Sequence, residues 1–169
     1  MKYDKYTFFY GGSFSQWLRC DFTVDGVGYS CAEQWMMASK ARTFGDDEAL
    51  KLIMKATDPR EQKALGRKVK NFDAAKWNAV ARDLVYKGNY AKFQQNKGLL
   101  YALNETKGTL LVEASPTDKI WGIGLGMADD RKEDPANWRG TNWLGEVITK
   151  VREDLKAGVY RTENFDWSK

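Results

Sequence analysis

The sequence predicts an α+β fold: a single compact, mostly helical domain with a small number of short β-strands. Three observations point there. Helical periodicities outnumber strand-like runs, the strand-like runs lie in the first thirty residues and after position 108, and no regular strand–helix–strand alternation joins them. With 169 residues, three prolines and no low-complexity or repeated segment, the chain reads as one domain over 1–169.

Thr7–Tyr10 is a short aromatic strand ended by Gly11-Gly12. Cys20–Val24 and Val27–Tyr29 form a hairpin across Asp25-Gly26, a dipeptide that accepts the positive φ angles of a tight turn. Ser30 is placed as an N-cap with Glu33 completing a capping box, opening a helix from Cys31 to about Arg42. A second helix covers Asp47–Lys55. A third opens at Asp58-Pro59-Arg60-Glu61, with Asp as N-cap, Pro in the first helical position and Glu completing a box, and begins a basic helix from Arg60 to Lys70. Asp73 caps a longer helix whose stripe of Trp77, Val80, Ala81, Leu84, Val85 and Gly88 reads as core. Asn96–Asn104 is a short helix, Thr109–Ala114 a buried strand and Ile120–Leu125 a further strand. The charged run Asp129–Pro135 is an exposed loop. The last helix spans about Trp143 to Lys156, with Leu144, Val147, Ile148, Val151 and Leu155 on one face, and the tail from Gly158 carries no periodicity.

Composition narrows the chemistry. The chain contains no histidine, so a Ser-His-Asp triad, a Cys-His dyad, an HExxH zinc site and an imidazole general base are all excluded. Carboxylates, lysines, tyrosines, cysteines and backbone donors remain. The net charge of +4 permits an anionic ligand without marking a nucleic-acid binder. Two cysteines, Cys20 and Cys31, are too few for a disulfide framework and read as buried reduced thiols. No signal-like start and no run of membrane-spanning length occurs, so the expected location is the cytoplasm, with no membrane partner.

Three segments hold polar residues that packing alone does not explain. In Tyr29–Ala41, Glu33 and Lys40 stand seven positions apart, about two helical turns, and share one side of a helix across apolar and small residues. A carboxylate and an amine bordering an apolar surface acquire shifted proton affinities suited to acid–base or nucleophilic work. The alternative makes Glu33 a capping residue and Lys40 a solvated cation favoured by the helix dipole. In Glu113–Gly126, a proline turn presents Asp118, Trp121 offers a flat face for a base, and Gly122 and its neighbours allow close backbone approach. There the alternative is a tight bend with Asp118 capping a turn. In Arg139–Gly145, Thr141 or Asn142 caps the final helix, whose free N–H groups make an anion site that Arg139 would strengthen. The remaining tryptophans read as core or rim.

Taken in order, Tyr29-Ser30-x-x-Glu33-Gln34-Trp35-x-x-x-x-Lys40-Ala41, Trp77, Leu111-Val112-Glu113-Ala114-Ser115-Pro116-x-Asp118-x-x-Trp121-Gly122-Ile123-Gly124, Gly140-x-Asn142-x-Leu144-Gly145 and Val151-Arg152 resemble the YbiA/NADAR family over about residues 7–156. The resemblance implies a hydrolase, an N-glycosidase that cuts the bond between a ribose and a nitrogen. Its implied substrates are riboflavin-pathway intermediates or ADP-ribose attached to guanine, free or in nucleic acid, and it implies no metal and no other cofactor. One departure is Phe14-Ser15-Gln16-Trp17, where the family has a Phe-Ser-Asn-Phe-like segment; Ser15 and Gln16 remain candidates for sugar or base contact. The charged insert at 129–135 is also longer than the family pattern.

On this resemblance Glu33 transfers a proton, Lys40 is nucleophile or electrostatic partner, and Asp118 orients ribose hydroxyls or steadies developing charge. Tyr29, Trp77, Trp121 and Gly122 join Ser15 and Gln16 as substrate-binding candidates, with Trp121 stacking the base and Arg139 and Asn142 receiving phosphate. Two routes stand open: paired carboxylates, as in glycoside hydrolysis, or attack by lysine with an imine intermediate. The competing class is a non-catalytic module that binds a nucleotide, ADP-ribose or single-stranded nucleic acid, supported by the net charge, the tryptophans and the basic helix.

Overall fold

In a computed structural model the described residues are 3–160 and 165–168. They divide into two units, Met1–Ser15 with Lys97–Lys169 and Gln16–Asn96, taken separately below. The expected α+β class holds, with six α-helices and four short strands among the described residues.

The unit of residues 16–96 is built on a hairpin and four helices: β2 (Phe22–Val24) and β3 (Val27–Tyr29), then α1 (Ala32–Thr43), α2 (Asp47–Lys55), α3 (Pro59–Gly66) and α4 (Ala74–Gln95); β1 (Tyr6–Phe9) precedes them in the other unit. Asp25 and Gly26 take the expected positive φ angles, 51° and 79°. Gln95 completes the outer edge of β2, its Oε1 accepting from Thr23 N (2.8 Å) and its Nε2 donating to Thr23 O (2.8 Å), so a side-chain amide stands in for a strand. α1 is the central helix. Residues 32–39 and Ala41 are all buried, because α2, α3 and α4 all pack on it, and a helix covered this fully shows little amphipathic pattern. Asp46, Asp58 and Asp73 cap α2, α3 and α4 with their carboxylates. α3 ends at Gly66, so the basic stretch from Arg60 to Lys70 is not one helix. A Cβ on Gly66 would strike Met37, so glycine lets the end of α3 lie close against α1. Within the α4 stripe Trp77, Ala81, Val85 and Gly88 are buried, whereas Val80 faces outward.

In the other unit β1 pairs in parallel with β4 (Leu110–Glu113), Tyr6 opposite Leu110 and Phe9 opposite Glu113, after α5 (Lys97–Asn104). The free edge of β4 is completed by side chains rather than by a third strand. Thr149 Oγ1 on α6 (Trp143–Ala157) accepts from Leu111 N (3.0 Å). The Asn142 amide accepts from Glu113 N (3.0 Å) and donates to Leu111 O (3.0 Å). A Cβ on Gly145 would strike Leu111 O, so glycine is what lets α6 lie this close.

The expected strand Ile120–Leu125 is not one. Its apolar alternation buries Ile123 and Leu125 beside Val112, and Ile123 N donates to Glu113 O (3.0 Å) at the end of β4. Its other bonds form no ladder: Gly124 N to Asp118 O (3.1 Å), Arg139 N to Ile123 O (2.8 Å), Asn142 N to Gly122 O (3.1 Å) and, from the start of α6, Leu144 N to Trp121 O (3.1 Å). The charged run is two 3-10 turns, Asp130–Glu133 and Pro135–Asn137. Residues 161–164 of the tail lie outside the described residues; before them, Gly158 ends α6 in the left-handed conformation. No helix among the described residues is long and apolar enough to cross a membrane.

Candidate active site

The entry to α1 differs from the predicted capping box by one residue. Cys31, not Ser30, is the N-cap, its sulfur accepting from Gln34 N (3.4 Å). Gln34, not Glu33, reaches back, Oε1 accepting from Ser30 N (2.8 Å) and Ser30 Oγ (3.1 Å). Gln34 Nε2 then donates to Ile53 O (3.1 Å) at the end of α2, and Gln62 accepts from Cys31 Sγ (3.0 Å) while donating to Ala56 O (2.8 Å). A thiol is a weak cap signal beside a preceding serine, which is why the pattern misleads. The cap is thus made by Cys31 with Gln34, and Glu33 beside them is buried, 7% exposed.

Lys40, two turns on, is not a solvated end-of-helix cation. Its Nζ lies 4.5 Å from the centroid of the Phe72 ring, which Phe44 meets edge-on at 5.4 Å. Burial pushes the amine below its ordinary proton affinity; the Glu33 carboxylate draws it back up and the Arg67 guanidinium adds to the lowering. One helix thus brings a buried carboxylate and a half-buried amine of reduced basicity to act on each other.

The other expected binders of this unit have packing partners. Gln16 is buried, its Oε1 accepting from Asn89 Nδ2 (2.9 Å), its Nε2 against Met36 Sδ (3.7 Å) and its carbonyl accepting from Glu33 N (2.9 Å). Tyr29 is buried between Phe22 (5.9 Å, stacked) and Trp35 (5.3 Å, edge-on), and Trp77 is buried on α4. Trp17, by contrast, is 41% exposed, with Lys63 Nζ 5.8 Å from its ring. Of the two free thiols Cys31 is buried and Cys20 only half-buried. A cleft of about 510 Å³ in this unit is lined by Asp21, Thr23, Ser30, Gln34, Met54 and Gln95 among others, not by Glu33 or Lys40.

In the unit of residues 97–169, Asp118 Oδ1 accepts from Ile120 N (2.9 Å) and Trp121 N (2.8 Å), and Ser115 Oγ accepts from Asp118 N (3.1 Å); the carboxylate shapes the turn that carries Trp121. Trp121 is half-buried and edge-on to Trp143 at 5.6 Å. A Cβ on Gly122 would sit 3.0 Å from the carbonyls of Asp118 and Glu113, so its absence of side chain serves close packing. Asn142 occupies the N-cap position of α6 at φ 53° but makes no cap bond with its side chain, which instead holds β4. Arg139 is exposed, and Ser15, in the same unit, is half-buried at the end of a 3-10 turn. No set of three metal-ligating side chains converges among the described residues.

Sequence reasoning assigned no role to Gln34, although it lies inside the quoted motif, or to Gln62, Asn89 and Phe72. Only the glutamine beside Glu33 carried a signal, its potential to complete a box one residue late.

The profile of the NADAR domain family matches residues 7–156. The chain belongs to the NADAR family. Among its relatives, protein irg-1 of Caenorhabditis elegans is 47% identical over 129 residues, 75% of this chain; the chain spans 61% of that protein's length. N-glycosidase R617 of Acanthamoeba polyphaga mimivirus is 44% identical over 168 residues, covering 91% of this chain and 98% of the relative. The solved NMR structure of the E. coli protein YbiA is 25% identical, with a TM-score of 0.75 over 97% of this chain and 94% of that one. For this NADAR chain the near full-length likeness to a named N-glycosidase supports a hydrolase acting on N-glycosyl bonds.

Proposed function

We propose that this NADAR chain hydrolyses a ribosyl C1′–N bond in a phosphorylated, nucleotide-type substrate, with Lys40 as nucleophile and Glu33 as the proton-transferring group. The observation that carries the reading is the pair on α1: a buried carboxyl group acting on a half-buried amine that Phe72 covers. An amine of lowered proton affinity has a larger neutral fraction, and the neutral form is the nucleophile. In the reactive form the proton of the pair sits on Glu33 and Nζ is neutral. Nζ bonds to C1′ as the C1′–N bond breaks, and the Glu33 carboxylic acid gives its proton to the departing nitrogen. The carboxylate so formed takes a proton from the attacking nitrogen and passes it to the ring oxygen as the C1′–O bond opens, leaving a protonated imine between Nζ and C1′. Water adds at C1′, its surplus proton returns to Glu33, and the C1′–Nζ bond breaks to release the ribose portion as an aldehyde and restore the neutral amine.

To the other unit the proposal assigns substrate handling. Asp118 binds ribose hydroxyls through the oxygen not occupied by the turn, Trp121 and Gly122 meet the base, and Arg139 takes phosphate. The free N–H groups expected at the start of α6 give no help there, because those of Asn142, Trp143 and Leu144 donate to the carbonyls of Gly122, Ile120 and Trp121. Asn142 and Trp77 contribute by holding backbone and helix, Gln16 and Tyr29 by shaping the segment near Glu33, and Ser15 is a candidate for sugar contact. The substrate is either a ribosylated metabolite of the riboflavin-intermediate type or ADP-ribosylated guanine. Incubation with a panel of both, with free base and ribose phosphate resolved by chromatography, tests the reading. Glu33→Gln and Lys40→Ala are each expected to abolish release; wild-type turnover in both removes the two residues from the reaction.

A further inference from the structure

Phe72 lies outside every motif that marks the family pattern, and its ring is 47% exposed. A surface phenylalanine ordinarily needs no explanation. This one is held in place by a specific device. The turn that follows α3 carries Asn71 at φ 62°, and the buried carboxylate of Asp46 clamps it from the start of α2. Asp46 Oδ2 accepts from Lys70 N (2.8 Å) while Oδ1 accepts from Ala49 N (3.0 Å). These two donors keep the Asp46 carboxyl below the usual carboxylate range, so the clamp is charged at neutral pH. Phe44, at the C-terminal end of α1, braces the ring edge-on at 5.4 Å. The result is a ring face 4.5 Å from Lys40 Nζ.

We infer that Phe72, fixed by the Asp46 clamp, is a positioning residue for Lys40, holding the amine under an apolar cover from which it attacks C1′. The inference rests on the reading of Lys40 as the nucleophile. The ring has two opposing effects: its π face favours the ammonium, and its bulk excludes water and disfavours it. Desolvation is the larger influence on Lys40, so the net effect of the cover is to enlarge the neutral fraction. The charged groups acting on Nζ are Glu33 on its own helix and Arg67 just beyond α3, and neither belongs to the clamp.

The test uses the full chain with Phe72→Ala and Phe72→Leu, each checked for an unchanged melting curve. The Lys40 amine is titrated by NMR in isotope-labelled protein, and kcat and KM are followed against pH. In Phe72→Ala the Lys40 titration is expected to move up toward the ordinary lysine range. Turnover at neutral pH then falls about tenfold for each unit moved, with KM little changed, and recovers at higher pH. Phe72→Leu keeps the apolar cover without the π face and is expected to stay near wild type. If Phe72→Ala leaves both titration and kcat unchanged while borohydride still traps substrate on Lys40, the positioning role is overturned and the nucleophile stands. If Lys40→Ala still turns over, the nucleophile reading falls, and the positioning role falls with it whatever the titration shows.

Discussion

Replacing Gln34 separates the architecture of the α1 entry from its chemistry. The side chain is 4% exposed, and its amide serves both ends of one junction: Oε1 takes the Ser30 N–H at 2.8 Å and Nε2 gives to Ile53 O at 3.1 Å. In Gln34→Ala both backbone groups lose their partner. Each orphaned buried group costs about 1–3 kcal/mol, so the variant should lose about 2–5 kcal/mol. For a chain of this size that is roughly a 5–15 °C fall in Tm. Gln34→Glu is the sharper case. One oxygen still accepts from Ser30, but the other, ionised, faces the carbonyls of Ile53, Met54 and Ala56 at 3.1–3.4 Å with no proton to give. The folded state therefore raises the introduced carboxyl's pKa above its unfolded value of about 4.3. Its protonated form can donate as the amide does, so stability relative to wild type is best below that pKa and is lost as pH rises through the folded value. Paired thermal melts from pH 4 to pH 7 should show the Gln34→Glu deficit growing with pH to at least that of Gln34→Ala. A deficit that is small and flat across the range refutes the assignment of Gln34 as the joint between the α1 cap and the end of α2.

Lys92 is fully buried, and desolvation brings its pKa from 10.5 down to about 8, so unfolding takes up a proton between those values. Stability should accordingly rise with pH over that window, by an amount of order 3 kcal/mol if the whole shift is realised, and denaturant titrations of Lys92→Met should lack the rise. Asn142→Ala removes two hydrogen bonds from β4 and places alanine at φ 53°, so calorimetry should report a loss of about 3–5 kcal/mol. In Gly88→Ala the new Cβ collides with the Trp35 indole, whose Nε1 donates to Leu84 O at 2.7 Å; tryptophan fluorescence should shift as that bond is lost.

What the sequence disclosed follows from how local the physics is. The Asp25-Gly26 turn, the Asp58 and Asp73 caps and the bounds of α2 are written in adjacent residues, and all are found in the structure. α1 is marked in the sequence by a capping signal at its start rather than by an apolar stripe, since burial on nearly all sides erases the stripe. The Ile120–Leu125 segment misled because alternating burial imitates a strand, while its hydrogen bonds are scattered over Glu113, Asp118 and residues 139–144 instead of one ladder, which no local pattern reveals. Glu33 and Lys40 stood out by chemistry and spacing. The completion of β4 by Asn142 and the placing of Phe72 over Lys40 depend on contacts distant in sequence, and the cap at Cys31 and Gln34, though local itself, is tied by Gln34 to Ile53 and by Cys31 to Gln62.

The most direct test of the reaction is to stop it with borohydride during turnover of a ribosylated substrate and map the adduct by mass spectrometry. A reduced sugar bonded to Lys40, absent from Lys40→Ala, which also releases no base, is the predicted result. Release of base by Lys40→Ala at the wild-type rate, with no adduct on Lys40 in the wild type, would contradict it.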